Sequence, residues 1–255
     1  MATKNDTKLK TLLSLHRPGT VLLSSWLEKE GVSRDLQTHY RRSGWLESVG
    51  AGAFKRPNDD VSWQGGLYAL QLQAALPIHA GAMTAFSLQG YSHYLRLGGQ
   101  SVFLFSPRGV KLPAWFKKHD WGVPVRHIPT SILPGELGLV EREEANLAIR
   151  ISAPERAMLE CLDHAPKDFD LVECFQVMQA LTNLRPGVIN DLLRTCTSVK
   201  AKRLFLYMAD KANHQWLPFL TTSHLDLGSG ERSLSKGGTY VAKYHLVVPR
   251  ELAAL

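Results

Sequence analysis

The sequence of 255 residues lacks several features that would place it in other classes of protein. It contains no apolar run of the roughly 18 residues that span a bilayer, so we expect no membrane association. The opening MATKNDTKLK has no apolar signal-peptide core, which predicts a cytoplasmic protein. Cys161, Cys174 and Cys196 have no zinc-ligand spacing and cannot all pair. We therefore expect three buried free thiols and no disulfide scaffold.

Motifs that carry catalysis are also missing. There is no GxGxxG, Walker lysine loop, GxSxG or HExxH. Asp163 and His164 lie close to Cys161 in sequence, but neighbours on a helix point apart, so a thiol triad is not expected. The acidic residues within 141–144 have no lysine at a nuclease-like spacing, and we interpret them as a solvated turn. We therefore predict no catalytic residues, no metal site and no cofactor.

Positive charge is concentrated at the two ends of the chain, although the total is only +7. Residues 1–56 hold ten Lys and Arg against five Asp and Glu, and residues 200–255 hold eight against four. The middle, 57–199, holds twelve against fourteen. A basic face concentrates phosphates and gains affinity by releasing counterions, so a nucleic-acid partner is one interpretation. The alternative is a surplus of lysine that only aids solubility.

The first sixty residues show the pattern of a helix-turn-helix. Leucines within 9–13 recur at helical spacing, and Pro18 prevents that helix from continuing. Ser25 and Glu28 have the spacing of a capping box, which predicts the start of a second helix. This helix ends at Gly31, which provides the tight turn before the next helix.

A third helix is expected between Ser33, as its N-cap, and Gly44, as its C-terminal stop. Leu36 and Tyr40 lie four residues apart and are expected to pack inward. In a major groove, arginine donates two hydrogen bonds to guanine, glutamine pairs with adenine in the same way, and threonine contacts bases through its hydroxyl or methyl group. With the adjoining arginine, the predicted DNA-reading residues are Arg34, Gln37, Thr38, Arg41 and Arg42. The alternative is a solvated polar face.

A short hairpin follows, with strands at 45–49 and 53–56 and a turn between them. We interpret it as a basic-tipped wing whose Lys55 and Arg56 contact the DNA backbone, where they position the domain without reading sequence. The wing and the local charge favour nucleic-acid binding over a solvated face. We therefore predict a winged helix-turn-helix DNA-binding domain over residues 1–60, with the polar segment 57–60 as a linker.

From residue 61 the pattern mixes helices and strands without strict βαβ alternation, which predicts a larger α+β domain over 61–255. Helices are expected near 67–76, 79–90, 154–162, 169–181, 188–193 and 200–208. Strands are expected near 101–105, 124–128, 147–151 and 240–249. The fold class is thus α+β, with an N-terminal winged helix-turn-helix and a larger mixed part.

Several stretches together identify a family. They are 44–54, 79–85 (HAGAMTA), 151–157 (ISAPERA), 199–206 (VKAKRLFL), 226–232 (DLGSGER) and 236–238 (KGG), with Tyr244 after them. In order and spacing they resemble AbiEi-type antitoxins of type IV toxin–antitoxin, or abortive-infection, systems. The likeness covers nearly the whole chain, although no single stretch is as specific as a Walker motif.

The resemblance implies a winged helix that binds inverted repeats in double-stranded operator DNA and represses its own operon. It also implies a C-terminal part that counteracts a nucleotidyltransferase-like toxin without forming a stable complex. The family has no established catalytic residues, so none is carried over. The C-terminal signature supplies the predicted antitoxin surface: Lys200, Lys202, Arg203, Arg232 and Lys236.

The residues alone leave alternatives open. The C-terminal basic residues could meet phosphates, with loop 226–230 presenting backbone amides to an anion, or they could form a solvated helix face. Two other functions also remain: a stand-alone, ligand-sensing winged-helix transcription factor, and an enzyme that modifies nucleic acids and is targeted by its winged helix.

Overall fold

The computed structural model describes residues 8, 10, 12–14, 16–91, 101–144 and 146–255. Of the leucines predicted to form the first helix, Leu9 lies outside the described residues. Leu12 is helical and buried, as expected, and it packs in a small core with Leu22, Tyr40 and Phe54.

The N-terminal part contains two further helices and a three-stranded antiparallel sheet. The helices are α1 (Ser24–Lys29) and α2 (Arg34–Arg42). The strands are β1 (Leu22–Leu23), β2 (Glu47–Gly50) and β3 (Ala53–Lys55), in the order β1-β3-β2. The β2–β3 hairpin after α2 confirms the predicted wing.

The two helix starts differ in how they are capped. Ser33 accepts a hydrogen bond from Leu36 N, as predicted for the N-cap of α2. The predicted capping box at Ser25 is wrong, because α1 begins at Ser24 and its N-cap is Leu23, two residues before Ser25. Strand β1 runs directly into α1, so a strand residue occupies the position that a capping side chain would need.

The core of the N-terminal part continues through position 60, where the sequence predicted a domain boundary. Helix α3 (Trp63–Tyr68) and the π-helical turn that extends it (Ala69–Gln73) pack against β1. Gln73 accepts a hydrogen bond from Leu23 N at 2.8 Å and donates one to Val21 O at 2.7 Å. The two sides of position 60 are therefore joined by buried hydrogen bonds as well as apolar contacts.

A five-stranded mixed sheet forms the centre of the larger part, in the order β6-β5-β4-β8-β7. Its strands are β4 (His79–Ala80), β5 (Val102–Pro107), β6 (Val125–Thr130), β7 (Leu139–Glu144) and β8 (Leu147–Ser152). The helix expected from residue 79 begins only at Ala82, because His79 and Ala80 pair with β5 and β8. The expected acidic turn is also wrong: residues 139–144 pair with β8 as an edge strand.

Seven α-helices, two short 3₁₀ helices (Leu217–Phe219 and Ala242–Tyr244) and a second small sheet complete the described part of the larger region. The helices are α4 (Ala82–Leu88), α5 (Ala114–Lys118), α6 (Pro154–His164), α7 (Leu171–Ala180), α8 (Pro186–Thr195), α9 (Val199–Lys211) and α10 (Arg250–Ala254). The small sheet contains β9 (Arg232–Ser233), β10 (Thr239–Val241) and β11 (Leu246–Val248). The predicted closing strand is interrupted by a turn in which His245 has φ 50°. The α+β class is confirmed, and all three cysteines are buried and free.

Candidate nucleic-acid interface

Helix α2 exposes four of its five predicted DNA-reading residues and buries the fifth. Gln37 is only 2% exposed, and its amide donates to Val32 O at 2.8 Å and Ser24 O at 3.1 Å. Its side-chain oxygen also accepts a hydrogen bond from Ser24 Oγ at 2.6 Å. The predicted role of Gln37 in reading adenine is therefore wrong, because the amide holds α2 against α1. Tyr40 is buried and Leu36 is partly buried, which confirms their inward direction.

The solvent face of α2 extends past the predicted residues on one side. It consists of Arg34, Asp35, Thr38, His39, Arg41 and Arg42, all exposed. His39 was not among the predicted residues, although its spacing from Asp35 and Arg42 is the spacing of one helix face. Arg34, Thr38 and Arg42 remain available to a partner.

A groove of about 460 Å³ separates α2 from the wing. It is lined by Thr38, Arg41, Arg42, Leu46 and Ser48. The guanidinium of Arg41 lies 5.8 Å from the centre of the Phe54 ring on β3, so this side chain lies at the boundary between helix and wing. Two predicted arginines and the predicted threonine thus meet in one concave, basic surface.

Arg34 is 79% exposed but makes an ion pair with Glu28 of α1, with Nε 3.0 Å from Oε1. The carboxylate neutralises part of the charge on the solvent face of α2. Because exposed ion pairs contribute at most about 1 kcal/mol, Arg34 can exchange this partner for another acceptor at little cost.

The wing carries its predicted cations at the base and not at the tip. The tip is formed by Gly50, Ala51 and Gly52, whereas Lys55 ends strand β3. Lys55 Nζ donates to Asp59 O at 3.0 Å and lies 3.7 Å from a carboxylate oxygen of Glu47. Arg56 is partly buried. The expectation of a basic tip is wrong, and phosphate contacts by Lys55 and Arg56 stay a prediction.

The C-terminal signature is largely internal. Arg203 is 2% exposed, and its guanidinium donates to four carbonyl oxygens. These belong to Leu227 at 2.7 Å, Gly228 at 3.0 Å, Gly230 at 2.7 Å and His245 at 3.1 Å. Loop 226–230 therefore directs carbonyl groups towards a buried cation of the same chain, where the sequence suggested amides facing an anion.

The other basic residues of the predicted antitoxin surface divide into two groups. Lys202 is 4% exposed, so the predicted surface position is wrong for it as for Arg203. Lys200 is half-buried and donates to the carbonyls of Asp163 and Ala165, and burial lowers the pKa of its ammonium. Arg232 and Lys236 are exposed, and their antitoxin role stays a prediction.

Two of the family-like stretches, 79–85 and 151–157, meet around one buried carboxylate. Glu160 is fully buried, with Oε1 2.9 Å from His79 Nε2 and 2.8 Å from Arg156 Nε. Its Oε2 accepts hydrogen bonds from Ala82 N and Ser152 Oγ. Burial by itself raises the pKa of Glu160, but His79 and Arg156 outweigh it and lower the pKa to about 2. This network joins strand β4 to helix α6.

No helix within the described ranges is long and apolar enough to cross a membrane. The same residues bring together no cluster of three or more His, Cys, Asp or Glu that could hold a metal ion.

A helix-turn-helix followed by a wing, with a basic groove between them, defines a winged-helix protein with a larger α+β part. Residues 5–97 match the family model described as the N-terminal domain of the AbiEi antitoxin transcriptional regulators. Residues 99–249 match the model of the AbiEi antitoxin, a transcriptional regulator of type IV toxin–antitoxin systems. The chain belongs to this family, which confirms the resemblance seen in its sequence.

The fold also has a solved counterpart. The crystal structure of the Rv2827c protein from Mycobacterium tuberculosis superimposes with a TM-score of 0.60 at 14% identity. The match covers 96% of this chain and 92% of that one. At this identity the likeness concerns the fold alone. A search of curated proteins finds no match.

Proposed function

We propose that this AbiEi-family regulator represses its own toxin–antitoxin operon by placing helix α2 in the major groove of inverted repeats. The observation that carries the proposal is the exposed set Arg34, Thr38 and Arg42, beside a groove bounded by the wing. Arginine donates two parallel hydrogen bonds to guanine, and threonine contacts thymine methyl groups or base edges. The family membership supports DNA as the partner, because its members are transcriptional regulators.

A reporter gene under the promoter of the operon tests repression by the full chain. Arg34→Ala and Arg42→Ala should each relieve repression, because a lost bidentate base contact costs about 1–3 kcal/mol, or roughly 5- to 150-fold in affinity. Arg194→Ala is the matched control, since Arg194 is 72% exposed on α8 and carries the same charge. Full repression by the double variant would contradict the assignment.

We further propose that the larger part counteracts a nucleotidyltransferase-like toxin encoded in the same operon, without a stable complex between the two proteins. Arg232 and Lys236 are the predicted surface residues that remain exposed. Their placement outside the winged helix supports a separation of the two activities.

Co-expression with the neighbouring toxin tests this second activity. Arg42→Ala should still restore growth, whereas Arg232→Gln with Lys236→Gln should restore it less well. Affinity purification from the same cells should yield the protein without toxin. Co-purification in a fixed ratio would contradict the absence of a complex, and failure of the wild-type chain to restore growth would indicate a simple regulator.

A further inference from the structure

A second basic segment lies in the larger part, outside every residue assigned above. The stretch 101–119 contains no Asp or Glu, and four of its residues are exposed cations: Arg108, Lys111, Lys117 and Lys118. None of the four makes an ion pair with a carboxylate in the described part of the chain. The next acidic residue, Asp120, accepts a hydrogen bond from Gly122 N at 2.9 Å. We name residues 108–118 the wing-flanking segment.

The segment lies against the face of the wing opposite to α2. Phe54 packs in the small N-terminal core on the α2 side of the wing. Ser48, its partner on the neighbouring strand β2, lines the groove on the same side. Ala53 belongs to the other core, together with Trp115 of α5. Gly50 touches this tryptophan so closely that a Cβ at position 50 would lie 2.7 Å from the Trp115 Cβ. The order across the molecule is therefore α2, wing, wing-flanking segment.

Aromatic packing fixes the segment in place. The rings of Phe116 and Trp121 lie 4.7 Å apart, and Trp121 Nε1 donates to Phe116 O at 2.8 Å. Trp121 also packs against Gly66 of α3, where a Cβ would lie 2.4 Å from the indole. Cations on such a rigid support lose little backbone entropy when they meet fixed charges.

We propose that the wing-flanking segment binds the phosphate backbone of the operator DNA beyond the wing. The inference rests on the proposed function, because it assumes that α2 and the wing are engaged on DNA. Lysine and arginine neutralise phosphates and release counterions without reading sequence. The larger part thus contributes to DNA affinity directly, and the footprint extends past the base pairs that α2 contacts.

Fluorescence anisotropy with the full chain and an operator duplex, over a series of salt concentrations, tests the proposal. The variant carries Arg108→Gln, Lys111→Gln, Lys117→Gln and Lys118→Gln. Each lost phosphate contact reduces the slope of log Kd against log salt by about 0.9, so we expect a reduction of about 2 to 4. Affinity should fall by the same factor on operator and scrambled DNA, because phosphates carry no sequence information.

A matched variant removes four exposed cations elsewhere: Arg142→Gln, Lys167→Gln, Arg194→Gln and Arg250→Gln. It should keep the wild-type salt slope. Equal losses of DNA affinity in the two variants would show an effect of net charge only and would overturn the proposal. A wild-type salt slope in the first variant would overturn it as well. On a duplex shortened to the base pairs that α2 contacts, wild type and the first variant should have the same affinity and the same salt slope. The ratio of operator affinity to scrambled-DNA affinity tests α2 separately. Failure of the proposed function can therefore be distinguished from failure of the wing-flanking proposal.

Discussion

Helices α2 and α9 are both rich in cations, yet they have opposite relations to solvent. Arg34 and Arg42 of α2 are exposed, whereas Lys202 and Arg203 of α9 are buried. The difference lies in what each helix packs against. Helix α2 buries one narrow face, while α9 is covered on nearly all sides. A run of basic residues can therefore contact nucleic acid only where the helix that carries it exposes one face to solvent.

The burial of α9 has an electrostatic consequence. A charge removed from water is tolerated only when hydrogen bonds replace its hydration. The four carbonyl oxygens of the 227–245 region do this for Arg203, and the carbonyls of Asp163 and Ala165 do it for Lys200. The exposed arginines of α2 need no such internal acceptors and are free to exchange partners.

The largest expected effect is the loss of the buried guanidinium. Arg203→Met removes the donor from four carbonyls and should lower the free energy of unfolding by about 3–5 kcal/mol, since buried acceptors are left unsatisfied. Urea unfolding measures it. The control Arg232→Met removes an exposed cation from β9 and should change stability by less than about 0.5 kcal/mol. Equal stabilities of the two variants would break the comparison between buried and exposed cations.

A second buried charge makes stability depend on pH. The folded-state pKa of Glu160 is about 2, below the ordinary 4.5, so ionised Glu160 stabilises the fold above pH 4.5. This stability, about 3 kcal/mol, should be lost as the pH falls from 4.5 to 2. Urea unfolding of wild type and Glu160→Gln over this range measures it, because the other carboxylates titrate in both. Parallel pH dependences for the two proteins would contradict the role of Glu160.

Two adjacent residues of α2 sharpen the comparison within one helix. Gln37→Ala should lower the free energy of unfolding by about 1–3 kcal/mol, because the carbonyl of Val32 and the hydroxyl of Ser24 lose buried partners. Thr38→Ala should leave thermal unfolding unchanged and weaken discrimination between operator and scrambled DNA. Circular dichroism melting and anisotropy distinguish the two. A Gln37→Ala protein that keeps wild-type stability but no longer distinguishes operator from scrambled DNA would mean that Gln37 faces the DNA, as the sequence predicted.

The smallest effect concerns the ion pair on the surface of the winged helix. Glu28→Gln should change stability by at most about 1 kcal/mol, since the pair with Arg34 is exposed. It should strengthen DNA binding at low salt, because a negative charge near the phosphates is removed and Arg34 is released. Anisotropy at low and high salt checks this, with Glu251→Gln as a control on α10. Weaker binding by Glu28→Gln would mean that Glu28 orients Arg34 for its contact with DNA.

Local signals in the sequence were sufficient for the winged helix. The cap at Ser33, the glycine at the helix turn and the hairpin after Gly44 all depend on residues a few positions apart. The prediction failed at one position of α2, because Gln37 is polar and its burial depends on acceptors in α1 and in the turn before α2. A polar side chain is expected to face solvent unless its buried hydrogen-bond partner is known.

Long-range contacts determined what could not be predicted. Strand β4 has only two residues and forms only between β5 and β8. A strand this short has no periodic pattern of its own, so the predicted helix was extended back over it. The burial of Arg203 depends on a loop about 25 residues further along the chain. Likewise, the polar segment 57–60 indicated a linker, but Gln73 and β1 join the two sides. The division at residue 60 stays a prediction.

The most direct test of the central claim is a titration of the full chain with operator and scrambled duplexes, with thermal melting in parallel. The variant carries Arg34→Ala, Thr38→Ala and Arg42→Ala, and Arg194→Ala with Arg232→Ala is the control. We expect the first to keep the wild-type melting temperature and lose at least tenfold in discrimination, which corresponds to about 1.4 kcal/mol, while the control keeps both. Undiminished discrimination in the triple variant would contradict the assignment of this face of α2 to operator DNA.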